Sequence, residues 1–135
     1  MPIHLEIVTP EGKNFSDEVE IVVAPGVEGE LGVLASHAPL VTTLQPGELR
    51  YTHNGDEHFL AVGAGILEVT SKSVAVLTDL AIADDEIDEA AVEAALESAK
   101  MALEEKHDVE EIAAVQLAIQ KSMAQLHVKR RRKHV

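Results

Sequence analysis

The chain has 135 residues, of which 46% are apolar, enough for one cored domain or one domain with a small appendage. Cysteine is absent, which excludes disulfides, thiolate metal sites and a cysteine nucleophile, and no apolar run approaches the roughly 20 residues of a membrane span. The formal net charge is −13, but five of the eleven Lys/Arg residues sit together in Lys129, Arg130, Arg131, Arg132 and Lys133, and half of the 24 acids fall between Asp84 and Glu111. An acidic body repels nucleic-acid phosphates, while the basic tail suits nucleic acid, anionic lipid or an acidic protein.

The start, Met1-Pro2-Ile3-His4, has no basic n-region and no signal-peptide core, so the chain is expected in the cytosol as synthesised. Ile3, Leu5 and Ile7 alternate with His4 and Glu6, the period of a half-buried strand. Thr9-Pro10-Glu11-Gly12-Lys13 reads as a turn. Val19 to Ala24 reads as a second strand, stopped by Pro25-Gly26. Leu49 to Phe59 is a hairpin, because Asn54-Gly55 tolerates the two positive φ angles of a type I′ turn. Gly65 to Thr70 and Ser73 to Thr78 form another pair around Ser71-Lys72. Only three aromatics occur, Phe15, Tyr51 and Phe59, so the core falls to Val, Ile, Leu and Ala. Short strands with turns about every ten residues point to a sandwich or barrel.

From Asp85 onward there is no Gly and no Pro. Ile87, Ala90, Ala91, Ala94, Ala95, Leu96, Ala99, Ala102 and Leu103 recur at helical spacing. Asp85, Glu86, Asp88 and Glu89 crowd the first turn, where acids complement the helix dipole. Lys106-His107 ends this helix. Asp108 caps a second, with Glu111 in capping-box position. Ile112, Val115, Ile119, Met123 and Leu126 give that helix one apolar stripe. The pair reads as a hairpin zipped by alanine, a small seam and therefore easily opened.

No catalytic constellation emerges. Gly26 to Gly32 is Gly-rich but lacks the Gly-Lys-Ser/Thr ending of a phosphate loop, and reads as a bent loop presented to a partner. Gly63-Ala64-Gly65 lacks the third glycine of a dinucleotide fingerprint and reads as close backbone packing. The seven histidines (His4, His37, His53, His58, His107, His127, His134) include no i, i+4 helical pair. His53 and His58 flank the hairpin turn without a third ligand, so no metal and no cofactor is expected. Ser36-His37 are sequence neighbours, the wrong geometry for a base acting on a nucleophile. The basic tail has no stacking aromatics beside it, which argues against nucleic acid. An enzyme is disfavoured; the competing binding reading is a stand-alone β-sandwich interaction module with a basic tail.

Several stretches together carry a resemblance: Pro25-Gly26 with Glu30-Leu31-Gly32-Val33-Leu34, Ser36-His37-Ala38-Pro39-Leu40, Leu44-Gln45-Pro46-Gly47, Gly63 to Val69, Val76-Leu77-Thr78-Asp79 and Ile87-Asp88-Glu89-Ala90. Over nearly its whole length the chain resembles the epsilon subunit of bacterial-type F1Fo ATP synthase, most specifically at Gly32 to Leu40. The resemblance implies a β + α fold: a ten-stranded β-sandwich (1–84), then an antiparallel two-helix hairpin (85–135). It implies a non-catalytic central-stalk subunit of a proton-translocating complex, peripheral on the cytoplasmic face of the inner membrane. The implied partners are the gamma subunit, the c-ring and the catalytic alpha and beta subunits. By position, Glu30, Leu31, Gly32 and His37 fall in loops that meet the c-ring. The hairpin is expected to inhibit ATP hydrolysis through Lys129, Arg130, Arg131, Arg132 and Lys133, which would meet an acidic segment of the catalytic subunit. The ATP-binding motif of some members is degenerate here. Ile87 and Asp88 remain, Ala91 stands in place of an arginine, and the second-helix positions hold Lys121 and Gln125. Weak or absent ATP binding is the expectation.

Overall fold

The structure is a computed structural model that describes residues 2–105 and 108–133, the last three (131–133) by their backbone alone. Ten strands come first: β1 (Ile3–Thr9), β2 (Gly12–Val19), β3 (Ile21–Gly26), β4 (Gly29–Val33), β5 (Leu40–Leu44), β6 (Gly47–His53), β7 (Asp56–Val62), β8 (Gly65–Val69), β9 (Ser73–Thr78) and β10 (Ala81–Ala83). A single 3-10 turn (Asp84–Glu86) leads to helices α1 (Glu89–Glu105) and α2 (Val109–Lys133). This is the ten-stranded sandwich and helical pair that the resemblance implied. Arg130, late in α2, bonds Glu89 at the start of α1, so the helices run antiparallel.

The strands pair in the order β10-β7-β6-β3-β5-β8-β9-β1-β2, with β4 on β3. β3 meets β5 at one register pair, Gly26 opposite Leu44. The sheet folds there into two layers, β10-β7-β6-β3-β4 and β5-β8-β9-β1-β2. The β1 side chains alternate as the sequence predicts: Ile3, Leu5 and Ile7 are buried, and His4 and Glu6 are half-buried. They meet Val74 and Val76 of β9, Leu67 of β8, and Leu44 and Leu49 in one core between the layers. β7 breaks the alternation. Phe59, Leu60, Ala61 and Val62 are all buried, because the core lies on one face of the strand and the hairpin on the other.

The turn chemistry holds where the sequence is explicit. Asn54 (φ 52°) and Gly55 (φ 85°) make the expected hairpin turn. A Cβ on Gly65 would fall onto the Leu77 carbonyl oxygen, and one on Gly63 onto the Asp79 carboxylate. Close packing is thus the reason for Gly63-Ala64-Gly65.

Four local expectations are corrected. Gly12–Val19 is a strand that the sequence hides; it lies at the sheet edge and most of it is exposed and polar, with only Phe15 half-buried against the core and Val19 buried in it. Pro25 and Gly26 do not stop a strand. They continue β3 opposite Glu30 and Gly29, so Gly26 to Gly32 is the tip of a hairpin and the strand β4 after it. Asp85 and Glu86 lie in the 3-10 turn, ahead of α1. Alanine is only a minor part of the helix seam: Ala90, Ala91, Ala94 and Ala95 are exposed and Ala102 is half-buried, while on the inner face of α1 Val92 is buried and Leu96, Ala99 and Leu103 are half-buried. Those four are spaced 4, 3 and 4, one face of a helix, and the larger side chains on it bury more apolar area. On α2 the inner positions are Ser122, Ala124, Leu126 and Val128, with Met123 exposed. This half of the helix is wedged between α1 and the β6–β7 face, so it is covered on two sides. Lys106-His107, expected to end the first helix, lies outside the described residues.

Candidate functional site

The chain presents three surfaces, and the first is the β4 end. Glu30, Leu31 and Gly32 lie on β4 rather than in a loop, because their backbones pair with Pro25, Ala24 and Val23. Strand alternation therefore separates them: Glu30 and Gly32 are exposed, whereas Leu31 is half-buried against the core. Glu30 Oε2 accepts from Arg50 at 3.0 Å, and Arg50 also donates to the buried Glu48 at 3.4 Å. His37 does lie in a loop, after the left-handed Ser36 (φ 69°), and its Nδ1–H donates to the Ala38 carbonyl at 2.7 Å. Glu30 and Leu31 line a shallow depression of about 270 Å³ with Leu40 and Thr42 of β5.

The second surface is the outer face of the β5-β8-β9-β1 layer. Thr43, Ile66, Leu77 and Val8 stand in register on adjacent strands. Ile66 is 48% exposed, Leu77 43%, and Val41 on the same face 69%. Pro10, Ala64 and Gly65 extend this row into a depression of about 340 Å³. An exposed row of this kind is unusual unless it meets a partner. Its signal in the sequence is the doubling of apolar residues, Leu40-Val41, Ile66-Leu67 and Val76-Leu77, where a half-exposed strand should alternate.

The third surface is the hairpin and its seat. Phe59 and Ala61 of β7 form a cluster with Ile87, Val92 of α1, and Leu126 and Val128 of α2. The cluster is separate from the core between the layers. Around it, cations of α2 reach the strand–helix junction. Lys121 pairs with Asp79, Lys129 Nζ donates to the Asp84 carbonyl at 3.2 Å, and Arg130 is held by Glu89 at 2.9 Å and by Glu93. The hydrogen bond that Arg130 donates to Glu89, and then that to Glu93, hold its guanidinium above the ordinary pKa. Arg131, Arg132 and Lys133 continue the helical backbone of α2.

The residues of the degenerate ATP motif have other employment. Ile87 is buried in the hairpin cluster. Asp88 caps α1: its Oδ1 accepts from the Ala91 N–H at 3.1 Å and its carbonyl from Val92 at 3.0 Å. Ala91 is exposed and Gln125 half-buried. Among the described residues, no hydrogen bond or ion pair joins Lys121 or Gln125 to Asp88. Asp108 caps α2 as expected, accepting from the Glu110 N–H at 2.8 Å.

His53 and His58 are not a cross-strand pair, since His53 pairs with Asp56 and His58 with Tyr51, but their rings lie 6.4 Å apart. Instead Tyr51 stacks on His58 at 4.9 Å and lies against Phe15 at 4.7 Å, and burial pushes its phenol above the usual value. Among the described residues, no three His, Asp or Glu side chains gather to hold a metal ion, and no helix is long and apolar enough to cross a membrane.

Two family models match the chain. That of the ATP synthase delta/epsilon chain β-sandwich domain matches residues 2–84, and that of the delta/epsilon chain long α-helix domain residues 85–130. The chain is 42% identical to an ATP synthase epsilon chain of Herpetosiphon aurantiacus, covering 99% of this chain and 98% of that one. It is 44% identical to one of Laribacter hongkongensis, covering 92% and 90%. Among solved structures it resembles a chain of the Euglena gracilis mitochondrial ATP synthase OSCP/F1/c-ring assembly, with a TM-score of 0.78, 26% identity, and coverage of 93% of this chain and 79% of that one. A chain of the Tetrahymena thermophila mitochondrial ATP synthase central stalk and c-ring shares the fold, with a TM-score of 0.57 at 11% identity over 98% and 96% of the two chains.

Proposed function

The chain belongs to the delta/epsilon chain family of ATP synthases, and from that membership we propose how its three surfaces divide the work. It is a non-catalytic subunit of the rotary complex, seated in the central stalk with gamma, the c-ring and the alpha and beta subunits as partners. The complex is membrane-associated; the cytoplasmic face of a bacterial inner membrane is our reading of where this member works.

In this reading the bare apolar row Thr43-Ile66-Leu77-Val8 seats the gamma subunit. Its in-register geometry suits a rigid shaft that must not slip. Glu30 and Gly32 on the outer side of β4, with His37 in the next loop, meet the c-ring, and Arg50 fixes the Glu30 carboxylate. Leu31 contributes from beneath, by packing the strand on the core. The division between the rotor-binding part and the regulatory part falls at residues 84 and 85.

The hairpin is a movable inhibitor of ATP hydrolysis, and one observation carries this reading. Its seat is a small cluster of its own, ringed by ion pairs, so lifting the hairpin leaves the core between the layers intact. Once lifted, α2 carries its basic end, Lys129 to Lys133, toward carboxylates of the catalytic subunit. ATP does not hold the hairpin closed in this member, because Ala91 offers no charge to a phosphate and Lys121 is engaged by Asp79. Deleting the residues after Ile87 is expected to leave copurification with gamma intact and to raise ATP hydrolysis by the reconstituted complex; unchanged hydrolysis refutes the inhibitory reading. Calorimetry with MgATP is expected to detect nothing tighter than about millimolar, and a micromolar isotherm overturns that part alone.

A further inference from the structure

Within the basic end, Lys129 and Arg130 have described side chains, and this chain already uses both. Arg130 is the more telling. Its Nε donates to Glu89 Oε1 at 2.9 Å, and a second guanidinium nitrogen donates to Glu93 Oε1. Glu89 and Glu93 are four residues apart, so they project from one side of α1 and offer the planar fork two carboxylates at once. All these side chains are substantially exposed except that of Glu89, at 23%, so the contact sits at the surface and can open without dismantling a core. A guanidinium whose Nε–H and one terminal N–H are turned onto α1 cannot offer that same paired edge to another carboxylate.

We propose that Glu89 and Glu93 are an internal competitor for Arg130. They occupy, in the closed hairpin, the same guanidinium that docking onto an acidic segment of the catalytic subunit requires. The proposal rests on the inhibitory reading above and adds its control. Closure of the hairpin and inhibition become mutually exclusive uses of one side chain, and the helix pair carries its own copy of the surface it would meet on its partner. Lys121 on Asp79 and Lys129 on the Asp84 carbonyl act in the same direction, holding α2 to the junction while Arg130 is engaged. Because the contact is electrostatic and exposed, rising ionic strength weakens it.

Two variants break the same contact, and the proposal gives them opposite consequences. The full-length chain has no cysteine, so Glu97→Cys on α1 and Gln116→Cys on α2 can carry a donor–acceptor dye pair that reads helix separation. Glu89→Gln with Glu93→Gln is expected to raise the open fraction about two- to fivefold, the range for exposed ion pairs, and to flatten its dependence on salt. In the reconstituted complex, the same pair of substitutions is expected to strengthen inhibition of ATP hydrolysis by a similar factor. Arg130→Ala is expected to open the hairpin equally, yet leave inhibition unimproved or weaker. Swapping the charges (E89K and E93K with R130E) is expected to restore closure, which separates an ion pair from a packing defect. Unchanged dye distance in the glutamine variant, or inhibition that weakens in it, overturns the competitor. If the dyes separate but deletion after Ile87 leaves hydrolysis unaltered, the inhibitory reading falls and takes the competitor with it. If deletion relieves inhibition but the glutamine variant changes nothing, the competitor alone falls.

Discussion

Between the two strand layers, Ile3, Leu5, Ile7, Leu67, Val74 and Val76 have no exposure at all. Beneath the hairpin, Phe59 and Ala61 meet Ile87, Val92, Leu126 and Val128 in a smaller cluster, from which α1 and most of α2 project. Both are apolar, but their origins differ. The first joins strands that are also bound by ladders of backbone hydrogen bonds, so no strand can leave alone. The second joins helices whose backbone bonds are internal, so lifting them sacrifices side-chain contacts and a few ion pairs only. A locked pair of layers and a separately seated hairpin thus follow from where the backbone hydrogen bonds are made.

Substitutions can break this contrast or sharpen it. Leu67→Ala should have the largest effect, costing about 2–5 kcal/mol because the cavity opens inside the hydrogen-bonded layers. Chemical denaturation should lose the sandwich as one cooperative unit. Gly65→Ala should cost about 1–3 kcal/mol, since the new methyl meets the Leu77 carbonyl and must push β8 from β9. Leu126→Ala should leave the denaturation midpoint of the sandwich nearly in place. Its effect is local: hydrogen exchange should accelerate in α1 and α2 while the β1 and β9 amides stay protected. Uniform acceleration would show that the two clusters are one unit.

A milder effect is expected from pH. Burial raises the Tyr51 phenol, so the folded chain keeps that proton above the value near 10 at which the unfolded chain loses it. The stability linked to Tyr51 is therefore complete below about pH 10 and is lost as pH rises through the folded value. Tyr51→Phe should remove that part of the alkaline slope in a melting-temperature series. Smallest for stability is Leu77→Ser, an exposed change expected within about 0.5 kcal/mol. It should nevertheless abolish copurification with gamma, and retention of gamma would empty the outer row of its assigned role.

Much of this was legible in the residues. β1 alternates because one face is buried, and Asn54-Gly55 announces its turn because few other pairs adopt two positive φ angles. Asp108 marks the start of α2 because its carboxylate can take up an orphan N–H. The misreadings share a cause, since each depended on what lies beside an element. β2 shows little hydrophobic period because most of this edge strand is wet and only Phe15 and Val19 turn to the core. Pro25 reads as a stop, although a strand tolerates proline opposite a hairpin partner. Alanine reads as the seam, although Val92, Leu96 and Leu103 hold most of the inner positions of α1 and leave Ala90, Ala91, Ala94 and Ala95 outside.

The candidate sites divide in the same way. The resemblance carried by Gly32 to Leu40 named the class of partners, but it set Leu31 beside Glu30 as an equal, and strand alternation turns Leu31 inward. Asp88, which remains from the degenerate motif, is the cap of α1. The apolar row on the β5-β8-β9-β1 face went unread because it joins residues from four strands, and register exists only once the strands are paired.

By itself the sequence determined β1, the hairpin of β6 and β7, the pair β8 and β9, the two helices and where charge accumulates, because these depend on neighbours within a few residues. Tertiary structure alone decided which apolar residues stay bare on the outer face, which alanines face water, and that Arg130 is held by Glu89 and Glu93. Those outcomes depend on which distant surfaces meet, and the meeting is settled by total burial and backbone pairing across the whole chain.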